Sequence, residues 1–259
     1  MTRVSFSAKK SAINVTLPKS WSELSQKELA GVYKIIVSSG GTTDDYGVKF
    51  RVFALLSGVR VERFDKKNDR AVLRFRIKGR ARRCHVDIMQ LVELLEPLDF
   101  IDTPGEMPVC LEKLCGREVA VDSQFHGLEF SKYLTIENRY QGYISSMKIE
   151  ALLPVAEILY SGFRIGKHKP KDFEIYALTQ WLVQIKAMFA DRFPNFYRPA
   201  SGESGAPMLE VMNNQIRALT GGDVIKEAEV LGTDCWRALT ELDYKAKEAE
   251  EYKRQMSKK

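Results

Sequence analysis

The sequence predicts a mainly α-helical protein of the α+β class, with a small basic β-hairpin and a long charged C-terminal helix. Apolar residues recur at helical spacing over most of the chain, whereas residues 59–83 contain the alternation typical of strands. The composition, with 44% hydrophobic and 29% charged residues, is that of a globular protein. No apolar run approaches the roughly 20 residues that a transmembrane helix needs, so we expect no membrane association.

The first elements predicted are a short strand and two helices. Residues 13–18 (INVTLP) have strand-like composition and end at a proline. Two capping boxes, at residues 20–23 and 25–28, supply side chains that satisfy free amide groups at a helix start. The helix that they open ends at the glycine pair 40–41, and a second helix is predicted over about residues 45–56.

A basic β-hairpin is predicted next, over residues 59–83. Residues 71–78 alternate between apolar and mostly basic side chains, which indicates a strand with one face in the core and one face in water. The preceding stretch VRVERF suits the partner strand, and the polar stretch DKKNDR between the two suits a turn. Phe75 falls on the apolar face of the strand, so we expect it in the core.

Most of the remaining chain is predicted to be helical. Helical spacing recurs in four segments, residues 86–98, 128–146, 148–160 and 171–191. Pro154 is expected to kink or split the third of these helices. Residues 103–128 are predicted to form loops and short strands.

The C-terminal helix follows a glycine pair at residues 221–222 and combines an apolar stripe with many charged pairs. The stripe steps by four and three residues, the seam spacing of a coiled coil, through Cys235, Leu239, Leu242, Ala246, Ala249, Lys253 and Met256. Pairs such as Glu241/Lys245 stabilise a helix by about 0.2–0.5 kcal/mol each, with little need of tertiary packing. Because the seam narrows to alanines, the helix either docks through its first turns and then projects into solvent, or accepts a helix from a partner.

The candidate partner-binding residues lie on this helix. Trp236, Leu239 and Leu242 are predicted as anchors, because they offer the large apolar area of that face. Ala246 and Ala249 would allow a partner helix to approach closely.

One stretch, SGESGAP at residues 201–207, has the composition of a linker. We therefore predict a mixed helical domain over residues 1–200, which contains the hairpin, and a helical C-terminal unit over residues 208–259.

The excess positive charge is confined to the hairpin. Residues 59–83 contain eleven Lys or Arg and three acidic residues, a net charge of +8, while the whole chain carries +6. The segment is therefore a candidate nucleic-acid site, made of Arg60, Lys66, Lys67, Arg70, Arg74, Arg76 and Lys78. A solvated sheet face that protects an edge from aggregation, or a docking face for an acidic protein, explains the same charge.

Motifs for catalysis, metal binding or cofactor binding are not found. His85, His126 and His168 lack metal-ligand spacing, and the cysteines form no zinc-binding pattern. Neither a phosphate loop nor a dinucleotide fingerprint is present. We therefore predict a non-enzymatic protein with no catalytic residues, no metal and no cofactor. The first residues lack the apolar core of a signal peptide, so we expect reduced cysteines and a place in the cytoplasm.

Two stretches resemble a known family. Residues 17–24 (LPKSWSEL) and 212–254 (MNNQIRALTGGDVIKEAEVLGTDCWRALTELDYKAKEAEEYKR) are similar to phage and prophage proteins of Bacteroides-type hosts. Those proteins are encoded beside the tape-measure gene and resemble tail-assembly chaperones. The resemblance covers the two ends of the chain. It implies a helical, cytoplasmic assembly factor that coats the tape-measure protein while the tail tube polymerises, and then leaves or stays as a minor part of the virion.

Together these observations predict a non-enzymatic phage tail assembly factor that binds a helical partner. The partner would be the tape-measure protein or another tail protein, and self-association through the same seam stays open. The alternative is a phage or mobile-element nucleic-acid-binding protein that uses the basic hairpin.

Overall fold

The structure is a computed structural model that describes residues 2–8, 11–43, 46–65, 67–77, 79–197 and 207–257. Helices dominate over strands, which confirms the predicted mainly α fold of the α+β class. The α-helices are α1 (Gln26–Ser38), α2 (Tyr46–Ser57), α3 (Ile88–Glu93), α4 (Phe130–Ser146), α5 (Leu153–Leu159), α6 (Asp172–Arg192), α7 (Met208–Thr220), α8 (Glu227–Gly232) and α9 (Cys235–Met256). The strands are β1 (Thr2–Ala8), β2 (Ser11–Leu17), β3 (Arg60–Asp65), β4 (Arg70–Ile77), β5 (Arg80–Asp87), β6 (Lys113–Leu114) and β7 (Arg117–Glu118).

The chain divides into two compact units. Unit 1 is Met1–Leu111 with Asp172–Gln180, and unit 2 is Glu112–Lys171 with Trp181–Lys259. This division differs from the predicted domains, because α7, α8 and α9 all pack against α4 and so join the middle of the chain. The predicted linker, apart from Pro207, lies outside the described residues, so a linker there stays a prediction.

The start of α1 in unit 1 confirms one predicted capping box. The amide of Glu28 donates to the Ser25 hydroxyl, and the Glu28 carboxylate accepts a hydrogen bond from the Ser25 amide. At Ser20 the predicted box is not formed, and a single 3-10 turn spans Trp21–Glu23. The turn stops there because Leu24 adopts an extended backbone conformation, so the helix starts only at the second box.

Strands β3, β4 and β5 form an antiparallel sheet in that order. The pairing of β3 with β4 confirms the predicted hairpin. No strand is predicted for the residues of β5, because its first four residues are mostly charged, are all exposed, and lack the alternation of a half-buried strand. The connection from β4 to β5 has two residues, and the second, Gly79, has a φ of +77°, which glycine adopts without strain.

The two faces of this sheet differ in character. Ala71, Leu73 and Phe75 of β4 belong to the hydrophobic core of unit 1, as do Cys84 and Val86 of β5. This face is called the core face. Phe75 is buried there, which confirms its predicted place in the core. The opposite face is called the outer face.

Unit 2 is helical apart from the short pair β6–β7. Trp181 of α6 is fully buried, and its indole N–H donates to the Ser123 carbonyl at 2.7 Å. The rings of Phe125 and Tyr160 pack edge-on against it. The predicted stripe of α6 is buried throughout, at Leu178, Trp181, Leu182, Ile185, Met188 and Phe189. Within the described residues, no helix has both the length and the apolar character needed to span a membrane.

Candidate functional site

The first turns of α9 are built into unit 2. The Asp234 carboxylate accepts hydrogen bonds from the amides of Trp236 and Arg237, which caps the helix. The same carboxylate accepts a bond of 2.5 Å from the amide of Gly127. The amide of Cys235 donates to the carbonyl of Leu128 at 2.7 Å. The start of α9 is therefore fixed by the loop that precedes α4.

Trp236 is held in an aromatic cluster. Its ring stacks on His126 with centroids 4.4 Å apart and meets Phe189 and Phe193 edge-on at 5.3 and 5.6 Å. Its indole N–H donates to the Gln124 carbonyl at 2.7 Å. The groups that Trp236 contacts here belong to its own chain, and its predicted role as an anchor for a partner stays a prediction.

Asp243 fixes α9 at its third turn. Its carboxylate accepts hydrogen bonds from the backbone amides of Asn195 and Phe196 at 2.7 and 2.9 Å, and from the Asn195 side chain at 2.9 Å. These bonds satisfy amides just after the end of α6, so they tie the third turn of α9 to the rest of unit 2.

The predicted partner-binding residues consequently fall into two groups. Leu239 and Leu242 are buried, at 0% and 4% exposure, and offer no surface to a partner in this structure. Trp236 is half-buried in its aromatic cluster. Ala246 is half-buried and Ala249 is exposed. A partner contact on this helix would therefore fall on its second half.

The second half of α9 carries a largely exposed apolar stripe. We call Ala246, Ala249, Tyr252 and Met256 the distal stripe. At 100° per residue they span about a third of the helix circumference and continue the line of the buried Leu242. Tyr252 and Met256 are 61% and 54% exposed. Lys245 and Lys253 also fall within this arc, and Lys245 pairs with Glu241 at 3.4 Å, as predicted.

An open groove lies beside the first half of α9. It has a volume of about 430 Å³ and is lined by Leu219, Val230, Thr233, Arg237, Ala238, Thr240 and Glu241. Helical spacing places Ala249 and Met256 on the same side of α9 as Ala238. Thr240, however, lies on the opposite side of α9, so the groove meets the line of the distal stripe at Ala238 and otherwise faces away from it.

The second candidate surface is the outer face of the sheet in unit 1. Arg60, Arg74 and Arg83 lie directly opposite one another across β3, β4 and β5. Residues in register on neighbouring antiparallel strands share a face, so these three form one row. Arg63 and Arg76 lie on the same face, and all five are exposed. We call this group of five the arginine face.

The Glu62 carboxylate lies within the arginine face. Glu62 sits at a bulge in β3 and accepts two hydrogen bonds from the Arg83 guanidinium, at 2.5 and 2.6 Å. The bonds from Arg83 lower the pKa of Glu62, as do the charges of Arg83, Arg74 and Arg63, although partial desolvation opposes the shift. The ion pair joins β5 to β3 across β4, so both side chains lie over the outer face.

The predicted nucleic-acid residues are only partly brought together. Arg60, Arg74 and Arg76 join the arginine face, whereas Arg70 lies in register with Asp65 and Asp87, which neutralise that end of the sheet. Lys67 is exposed in the turn between β3 and β4, and Lys66 and Lys78 lie outside the described residues.

Sequence reasoning missed two members of the arginine face, Arg63 and Arg83. The bulge between Val61 and Arg63 places Arg63 on the outer face, and no pattern in the sequence predicts this bulge. Arg83 joins through β5, which the Lys-Gly pair at 78–79 could have revealed as a hairpin turn.

Two groups of unit 2 that could carry chemistry, Cys235 and Tyr133, are buried and protonated. Burial, reinforced by the charge of Asp234, raises the pKa of Cys235 to about 12, so this thiol is not a nucleophile at neutral pH. Burial likewise raises the pKa of Tyr133, whose hydroxyl bonds that of Tyr197. Among the described residues, no group of three or more His, Cys, Asp or Glu is placed to hold a metal ion.

No protein-family model, curated protein or solved structure matches this chain. Proposals about its function therefore rest on the two surfaces described above and on the resemblance of its two ends.

Proposed function

We propose that the protein is a non-enzymatic phage tail assembly factor that binds a helical partner along α9. The observation that carries the proposal is the distal stripe, an apolar line that is buried up to Leu242 and continues exposed to Met256. A helix with charged flanks and a narrow apolar seam binds another helix through that seam, because small residues allow close approach and the flanking charges fix the register.

The proposed partner is a long helical protein of the tape-measure kind. Residues 212–254, which resemble tail-assembly proteins, include the groove and most of the distal stripe. Exposed apolar side chains also lie in this region, including Val224 and Ile225 at 78% and 88% exposure. In this proposal the protein acts in the cytoplasm of the host cell and needs neither a cofactor nor an active site.

Co-purification with the tape-measure protein of the same genome tests this proposal. The double variant Ala249→Gln with Met256→Gln places polar side chains on the distal stripe and should abolish co-purification. The matched control is Lys247→Gln with Glu251→Gln, two exposed positions on the opposite side of α9 that leave the net charge unchanged. The control pair should co-purify like the wild type.

Two outcomes would count against the proposal. If both double variants co-purify with the tape-measure protein equally well, the contact lies away from the distal stripe. The second outcome is a wild-type protein that dimerises in sedimentation experiments while the distal-stripe variant does not. The stripe would then serve self-association instead.

A second function, nucleic-acid binding, is favoured by the arginine face. Five exposed arginines on one sheet face can neutralise several phosphates, with Glu62 bound to Arg83 and Asp65 next to Arg63 as the acidic groups beside them. Changing Arg74, Arg76 and Lys78 to Glu should abolish binding of DNA or RNA without unfolding the protein, because Arg74 and Arg76 face solvent. If the wild-type protein fails to bind either nucleic acid at low salt, this function is excluded.

A further inference from the structure

We infer that the arginine face selects the phosphate backbones of a double helix over a single strand, and that Glu62 limits its affinity by occupying Arg83. This inference rests on the second proposed function, since it names the ligand of the same surface.

The first reason is the layout of the positive charge. With strands about 4.8 Å apart, the row Arg60–Arg74–Arg83 spans about 10 Å across the sheet, and Arg74 and Arg76 are about 7 Å apart along it. The charge therefore extends in two directions. A double helix presents phosphates from two strands, with one charge per about 1.7 Å of its axis, whereas a single strand presents one line of them.

The second reason is the chemistry of the face. Among the described residues of the outer face there is no Phe, Tyr or Trp on which an unpaired base could stack. Proteins that bind single strands gain much of their affinity from such stacking. The five cations of the face are all arginines, whose planar guanidinium groups bind phosphate oxygens in a bidentate manner.

The third reason concerns the Glu62 carboxylate. It holds Arg83 through two parallel hydrogen bonds, the same arrangement that a phosphate would use. A phosphate can take the Nε–Nη2 edge of Arg83 only after Glu62 is displaced, and the carboxylate also repels it. Glu62 therefore competes with the ligand for one of the five arginines.

The test uses the full-length protein and fluorescence anisotropy with labelled duplex DNA, duplex RNA and a single strand of equal length, over a range of salt concentrations. We expect either duplex to bind at least tenfold more tightly than the single strand. Glu62→Gln should strengthen duplex binding. It should also steepen the slope of log binding constant against log salt concentration by about 0.9, the value for one more phosphate contact. Arg74→Gln with Arg76→Gln should weaken binding and reduce the slope by about 1.8.

The matched control is Arg80→Gln with Arg82→Gln. These exposed arginines carry the same charge but alternate with the outer-face residues of β5, so they lie at the margin of the core face. The control pair should keep the wild-type salt slope, and melting temperatures of both pairs would verify folding.

The outcomes separate this inference from the function on which it rests. Absence of binding to any nucleic acid would exclude the second proposed function and this inference with it. Binding to the single strand as tight as to the duplexes would overturn the duplex inference alone. Binding of heparin, at matched charge, as tight as that of the duplexes would also overturn the duplex inference. The arginine face would then bind any polyanion or acidic protein. Unchanged binding by Glu62→Gln would refute the role given to Glu62.

Discussion

Deletion of residues 244–259 should leave unit 2 folded, whereas a single substitution at Leu239 should destabilise it strongly. The deletion removes the distal stripe and retains Asp243, whose bonds to Asn195 and Phe196 hold the third turn of α9 in place. Leu239, by contrast, is fully buried. The two perturbations therefore separate the part of α9 that supports the fold from the part that is free to bind.

The expected magnitudes follow from burial. The deletion loses the surface pair Glu241–Lys245, which contributes about 0.2–0.5 kcal/mol to the free energy of unfolding. It also loses the half-buried methyl group of Ala246, about half of the ~0.8 kcal/mol of a buried methylene. Together these amount to about 1 kcal/mol, a decrease in melting temperature of roughly 2–4 °C. Leu239→Ala should cost about 2–5 kcal/mol, because a buried leucine leaves a cavity.

Thermal unfolding followed by circular dichroism and by tryptophan fluorescence measures both effects. Trp181 and Trp236 report on unit 2, since both are packed within it. The reasoning would be refuted if the deletion variant melted at as low a temperature as Leu239→Ala. It would also be refuted if the tryptophan fluorescence of the deletion variant were that of an unfolded protein. The distal stripe would then belong to the protein's own core.

Three further outcomes are expected from other parts of the chain. Trp236→Ala should cost about 3–5 kcal/mol in chemical denaturation, because it removes a large aromatic side chain from the cluster with Phe189 and Phe193; a loss below 1 kcal/mol would contradict the packing. Cys235 should resist alkylation at pH 8 in the native protein, since its pKa of about 12 keeps the thiol protonated and burial blocks access; peptide mapping that finds it labelled as fast as in urea would show otherwise. Ser25→Ala should lower the stability of unit 1 by about 1 kcal/mol through loss of the capping box, and an unchanged denaturation midpoint would contradict that role.

The elements that local chemistry determines could be predicted from the sequence. The capping box at Ser25 and the stripe around Trp181 in α6 depend on residues three or four apart, so the sequence contains the whole signal. The same holds for the hairpin β3–β4, where Leu73 and Phe75 alternate with Arg74 and Arg76.

The features that were missed depend on residues distant in sequence. The sequence of β5 is a charged stretch without strand-like alternation. It forms a strand because it pairs with β4. The division into units depends on the packing of α4 with α7, α8 and α9, which are separated from it by many residues. The burial of Leu239 and Leu242 was anticipated as one of two alternatives, since a seam predicts contact but not whether the contact lies within the chain.

The most direct test of the proposed function is hydrogen–deuterium exchange along α9, with and without the tape-measure protein. In the free protein we expect slow exchange for the amides of residues 238–243, which Leu239, Leu242 and Asp243 anchor, and fast exchange beyond residue 246, where the helix is exposed. Addition of the partner should slow exchange over residues 246–256 and leave the anchored turns unchanged. Slow exchange over residues 246–256 in the free monomer, or no change on adding the partner, would contradict the assignment of the distal stripe as the binding surface.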